Sequence, residues 1–329
     1  MKKLIALLLA LVMCLCLAAC GATEEAPAEN AEAEAAAPAE DITIAYSAIA
    51  YSIAVLPQSL HDNIKAECDE RGWEFISLAA EGDAEKQSEQ IDQLIDQEPD
   101  VLVLFPADPV LADDWVKRVE EAGIPCVCVW TDVSTAQSSV ECYVGPDNYQ
   151  LGYNLAQAFI DANGKDAGLK LVRIGGVPVQ SDYIARNQGV EDCIAANSNY
   201  EILGDVAWAF SSRADAQAMM EDFIATYGDD IDALLGYDDD LTLGGVNALQ
   251  EAGMTDVQVY SITGQKEALT AIKEGKMTLT AHYTTLETAD IVASALDSIV
   301  AGEEVGDYYK YITVTNITSE NVEGVEGEF

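Results

Sequence analysis

QIDQLIDQEPDVLVLFPAD, residues 90–108, carries one complete helix-to-strand step. Ile91, Leu94 and Ile95 share one face of a helix that Asp83 can cap, and Val101 to Phe105 is an unbroken apolar run. A surface helix needs to hide only one stripe, whereas a continuously apolar strand needs cover on both sheet faces. The stretch therefore predicts an interior strand of a parallel sheet with helices packed on either side.

The same rhythm continues outward in both directions. Upstream, strands are expected at Ile42–Tyr46 and Trp73–Leu78, around a helix whose stripe is Leu60, Ile64 and Cys68 and which ends near Gly72. Downstream, Leu111, Trp115 and Val119 mark a helix stopped by Gly123, and Pro125–Val129 is the next strand. Later strands are expected at Leu169–Ile174, Ile202–Ala207, Ala233–Leu235, Val257–Tyr260 and Leu279–Ala281. They alternate with helices at Tyr149–Ala162, Ile184–Ala196, Ala214–Tyr227, Leu241–Ala252, Gln265–Lys273 and Thr288–Val300. Such alternation over two domain lengths argues an α/β class with two lobes.

The first forty residues are of another kind. A basic start at Lys2-Lys3, an uncharged apolar run from Leu4 to Leu17 and small Ala18-Ala19 ahead of Cys20 form a secretory signal, residues 1–19. A cysteine directly after the cut can take a diacylglyceryl group, as in bacterial lipoproteins, so Cys20 is the expected lipid anchor. The apolar run is short for a bilayer span, which takes about 20 residues. Residues 20–40, mostly Ala and Glu with Pro27 and Pro38, are expected to be a disordered acidic tether. The protein is thus expected outside the cytoplasm, lipid-anchored on the outer face of the cell membrane of a bacterium without an outer membrane.

The chain has 16 Lys+Arg against 58 Asp+Glu, a formal charge of -42. Nucleic acid and anionic lipid surfaces both need basic patches, so neither is an expected partner. Of eight cysteines, Cys14 and Cys16 leave with the signal, Cys20 is the expected lipid anchor, and Cys68, Cys126, Cys128, Cys142 and Cys193 remain. They read as buried free thiols, with a bridge from Cys142 to Cys126 or Cys128 as the alternative. Cys126 and Cys128 lie on one strand face, but no second pair completes a zinc site. With His61 and His282 alone among histidines, no nucleophile, P-loop or metal motif appears, and no cofactor or enzymatic activity is expected. A glycosidase working with two carboxylates is the enzymatic alternative.

The opening stretch, followed in order by AGIPCVCV, VGPDNYQLG and IDALLGYDDDLTLGGVNALQEAG, resembles the ribose-binding branch of periplasmic binding proteins across residues 41–315. The resemblance implies two Rossmann-like lobes with parallel sheets, joined by a three-strand hinge and closing on a small molecule. By analogy the N-terminal lobe takes 41–147 plus 283–310, and the C-terminal lobe 148–282 plus 311–329. A monomer working with the permease and ATPase subunits of an ABC importer is implied. The rival role is ligand-sensing input to a membrane receptor.

In open α/β sheets ligands bind beyond the carboxyl ends of the strands. That rule selects loops holding Ser47, Tyr51, Trp130, Asp132, Arg186, Phe210, Asp238, Thr263 and Tyr283. Tyr51, Trp130, Phe210 and Tyr283 can cover apolar sugar faces, while Asp132, Arg186 and Asp238 can grip hydroxyls in pairs. Ser47 and Thr263 are single-point partners. Arg186 leads the set because it matches the family's ligand-gripping arginine, three residues before Gly189. Asp238, where the family has Asn, opens an acidic run that can equally cap a helix. The ribose branch has Asp-Arg at Trp130-Thr131, Asp at Thr263, Gln at Tyr283 and Asn at Tyr51, which argues against ribose itself. A sugar or polyol is the first expectation, an amine in an aromatic cage the second, and a nucleoside the third.

Overall fold

The computed structural model describes residues 41–51, 55–197, 199–209 and 212–328. Cys20, the signal, the tether and Phe210 lie outside them. Among the described residues no helix is long and apolar enough to cross a membrane.

The first sheet contains β1 (Thr43–Ala48), β2 (Glu74–Ala79), β3 (Val101–Leu104), β4 (Cys126–Val129) and β5 (Cys142–Gly145). Helices α1 (Val55–Arg71), α2 (Ala84–Ile95) and α3 (Pro109–Glu121) connect the first four. The second half holds α4 (Asn148–Asn163), β6 (Lys170–Gly175), α5 (Ser181–Ala195), β7 (Glu201–Ile202), β8 (Ala207–Trp208), α6 (Arg213–Tyr227) and β9 (Ala233–Gly236). It continues with α7 (Asp239–Glu251), β10 (Gln258–Thr263), α8 (Lys266–Lys273), β11 (Leu279–His282), α9 (Thr285–Val300), β12 (Tyr309–Tyr311) and β13 (Thr315–Thr318). Sheet order is β12-β5-β4-β3-β1-β2 in the first lobe and β13-β11-β10-β9-β6-β7 in the second. Every pairing is parallel except that of β11 with β13. The chain passes between sheets after β5, after β11 and between β12 and β13, which is the three-strand hinge.

The structure changes four local expectations. One strand over Ile202–Ala207 is instead the two short pieces β7 and β8, separated by a turn in which Gly204 has φ +67°. Strand β5, not separately expected, is an interior strand between β4 and β12. Tyr311, expected to open the second lobe, still pairs with Gly145 of β5, and the Ile312 amide donates to the Gly145 carbonyl at 3.1 Å. The alternative disulfide does not form, and all five described cysteines are free and buried. Its absence follows from register. Cys142 lies opposite Val127, so its side chain joins the face that carries Val127 and Val129. Cys126 and Cys128 point to the other face, against Trp115 and Val119 of α3. Alternation along a strand puts the candidate partners on opposite sides of the sheet.

Two contacts fix the helices that border the space between lobes. Gly152 of α4 and Gly189 of α5 let these helices meet backbone to backbone: a Cβ on Gly152 would lie 1.9 Å from the Arg186 carbonyl oxygen. A Cβ on Gly189 would lie 2.1 Å from that of Tyr149. Near the C-terminus, Glu328 reaches back to the first lobe. Its carboxylate accepts from the Thr285 amide at 2.6 Å, from Asn63 Nδ2 at 2.9 Å and from Ser59 Oγ at 3.0 Å. A carboxylate at the first turn of α9 is favoured by the exposed amides there.

Candidate functional site

Strand ends of both sheets converge on one cavity of about 120 Å³. From the first lobe come Ile49 after β1, Leu56 and Pro57 in α1, Phe105 after β3, and Trp130 and Thr131 after β4. From the second come Gln180, Asp182, Tyr183 and Arg186 on and before α5, and Asp238 after β9, with Tyr283 on the crossing after β11.

Arg186 is 3 % exposed and held at two nitrogens. Nε donates to Asn148 Oδ1 at 2.9 Å, and Nη1 donates to the Tyr237 carbonyl at 2.6 Å. The guanidinium also lies 5.6 Å from the centre of the Tyr183 ring. Burial alone pulls its pKa down, but nearby Tyr283, Asp182, Tyr183 and Asp238 outweigh this and keep it charged. The Gly152 contact explains the fixed position, since the atom nearest that missing side chain belongs to Arg186 itself.

Trp130 is buried, and its ring meets Tyr283 edge-on with centroids 4.9 Å apart. It adopts φ +64°, and Thr263 adopts φ +134°, both unusual for residues with a side chain. Each left-handed residue of this kind costs on the order of 1–3 kcal/mol, and such strain gathers at functional sites. Here both lie at the carboxyl end of a strand. The Trp130 indole Nε1 is buried and has no hydrogen-bond partner among the described residues.

The three consecutive acids do three different things. Asp238 lines the cavity, caps α7 by accepting from the Asp240 amide at 2.8 Å, and accepts a long bond from Thr263 Oγ1 at 3.4 Å. Asp239 points into the core, where it accepts from the Gly264 and Gln265 amides at 2.7 and 2.8 Å and bonds Thr280 Oγ1 at 2.8 Å. Asp240 pairs with Arg213. Burial pushes the Asp239 carboxyl up to about 7 against those hydrogen bonds, from an ordinary 3.8. The folded chain thus keeps a proton that the unfolded chain releases. The stability linked to that proton is full below about pH 4 and is lost as pH rises through about 7. Urea unfolding at pH 4 and pH 8 is expected to show Asp239→Asn gaining on the parent as pH rises; a constant difference would refute the ionisation.

The other sequence-selected residues are placed as follows. Ser47 is fully buried and accepts from Gln87 Nε2 at 3.1 Å, behind the cavity wall. Tyr51 packs on His61 with centroids 4.6 Å apart and does not line the cavity. Asp132 accepts from Tyr308 Oη at 2.6 Å and lines a groove beside the hinge, with Tyr309 and Tyr311, that meets the cavity at Asp182. Thr263 supports Asp238 from beneath. The strand-end rule includes the loop 176–186 but did not single out Gln180, Asp182 and Tyr183 within it, although Asp182 and Tyr183 stand four and three residues before Arg186, on its side of a helix.

The sequence profile described as periplasmic binding protein domain matches residues 44–304. The ribose import binding protein of Bacillus subtilis is 30% identical over 248 residues, 75% of this chain and 78% of that protein. The xylitol-binding protein of Mycolicibacterium smegmatis is 29% identical over 255 residues, 76% and 70% of the two chains. A solved ABC transporter solute binding protein from Mycobacterium smegmatis, with bound glycerol, superposes with a TM-score of 0.79 at 25% identity, covering 88% of this chain and 98% of that one. The fold is shared with the myo-inositol binding protein of Caulobacter, with a TM-score of 0.79 at 24% identity over 86% of this chain and 95% of the other.

Proposed function

Because this chain belongs to the periplasmic binding protein family, we propose that it captures a sugar or polyol outside the cytoplasm for delivery to an ABC permease and its ATPase. The observation that carries this reading is a cavity lined by strand ends of both sheets, with Trp130 on one side and Arg186 on the other. A ligand touching both walls favours the closed arrangement of lobes, because only there are both sets of contacts made. The lobes are 41–147 with 283–311 and 148–282 with 312–329, and they bend at the three crossings. Binding, rather than bond breaking, also accords with relatives named as binding proteins. The closed form acts as a monomer. Phe210, by its place in the sequence, is a further candidate for a sugar face.

A thermal-shift screen against pentoses, hexoses, polyols, nucleosides and amines tests the reading. A sugar at about 100 times its Kd adds roughly 2.7 kcal/mol of stability. A shift by nucleosides alone would overturn the sugar class. Lost response with intact uptake in a deletion strain would overturn the import role.

Cys20 is the proposed lipid anchor, supported by the basic, apolar and small-residue order of residues 1–20. More than one acyl chain holds a protein stably at a membrane, where one chain does not. Cys20→Ala is expected to move the protein from the membrane fraction to the medium and to abolish incorporation of labelled palmitate. Unchanged membrane retention would refute the anchor.

A further inference from the structure

We propose that Asp182 selects the ligand, and that the cleft prefers a sugar or hydroxylated ring bearing a protonated amine over its neutral counterpart. The inference rests on the sugar-binding reading above and narrows it to a charge class.

The first observation is an unmatched acid. Asp182 lines the cavity one helical turn before Arg186 and also borders the hinge groove, and its buried Oδ1 has no hydrogen-bond partner among the described residues. A buried carboxylate oxygen without a donor is costly, so its partner is expected from whatever fills the cavity. Arg186 does not fill that role. Among the described residues its bonds go to Asn148 and Tyr237.

The second observation is the balance of charge. The cavity's charged lining residues are Asp182, Asp238 and Arg186, two acids against one base. Residues of the body outside the described set, Ser52, Ile53, Ala54, Ser198, Phe210, Ser211 and Phe329, have uncharged side chains. Burial raises the carboxyls of both Asp182 and Asp238, and the one Arg186 guanidinium that pulls them back down is shared between the two. An ammonium on the ligand supplies donors to Asp182 and neutralises the excess charge where little water screens it. A neutral ligand leaves one acid unbalanced, and an anionic sugar adds to the imbalance. Trp130 and Tyr283 add π faces on the same cavity, which also favour a cation. The chain's formal charge of -42 draws cations towards the protein.

The test is calorimetry with matched pairs at pH 7: glucose against glucosamine, galactose against galactosamine, and each amine against its N-acetyl form. In the parent protein at least one amino sugar is expected to bind about 10- to 100-fold tighter than its neutral partner, the scale of one hydrogen bond to a charged group. N-acetylation is expected to erase that gain without any change to the protein. In Asp182→Asn, checked for folding by thermal unfolding, the ratio of the two Kd values is expected to fall to within about threefold. Equal or tighter binding of the neutral members, or a preference that survives both N-acetylation and Asp182→Asn, overturns the inference and leaves the sugar reading intact. Binding of no sugar, neutral or amino, overturns the sugar reading itself.

Discussion

Arg186→Ala is expected to weaken ligand binding by more than about a hundredfold, the largest effect of any single side chain in the cleft. A guanidinium that engages a ligand through charge-assisted hydrogen bonds contributes about 1.5–3 kcal/mol per bond, and each 1.4 kcal/mol is tenfold in Kd. The side chain is already ordered by Asn148 and the Tyr237 carbonyl, so little entropy is lost when ligand arrives. Arg186→Lys is expected to fail nearly as badly, because an ammonium cannot keep two fixed bonds and still present a planar fork. The alanine variant also leaves the Tyr237 carbonyl without its donor, at about 1–3 kcal/mol of stability. Affinity should therefore be read by calorimetry well below its lowered Tm. Wild-type affinity in a folded Arg186→Ala protein would remove Arg186 from the site.

Gly152→Ala is expected to lower stability by about 3 kcal/mol or more, a large value for adding one methyl group. The new Cβ would meet the Arg186 carbonyl oxygen at 1.9 Å and Arg186 Cα at 2.8 Å, and both are backbone atoms of a facing helix. Neither can rotate aside, so α5 must move away from α4. That displacement carries Arg186 with it, and ligand affinity is expected to fall together with the urea midpoint. At Gly72, where a Cβ meets no atom within 4 Å, alanine costs only the strain of φ +71°. Affinity unchanged in Gly152→Ala would show that the glycine contact does not position the arginine.

Much of this was legible in the residues. Val101 to Phe105 required cover on both sides, and β3 lies inside a sheet with α9 and α1 on one face and α2 and α3 on the other. Trp130, Asp238 and Tyr283 follow strands, so the rule that ligands lie beyond strand ends reached them without coordinates, while Arg186, inside α5, was singled out by its match to the family's arginine. The same rule also selected Ser47, which lies near the end of β1, and Tyr51, which follows it, but these face Gln87 and His61. It could not choose among loop residues, because loop dihedrals lack the period that tells which side chain points inward.

The sequence by itself determined the alternation of strands and helices, the two-lobe class and the strand-end loops, since hydrophobic period and capping act over a few residues. Tertiary structure alone decided which side chains share one cavity. It placed Cys142 across the sheet from Cys126 and Cys128, sent Asp239 into the core while its neighbour Asp238 faces the cleft, and left one carboxylate oxygen of Asp182 without a hydrogen-bond partner among the described residues. These outcomes depend on register and on contacts between residues far apart in the chain, and a local pattern carries no information about either.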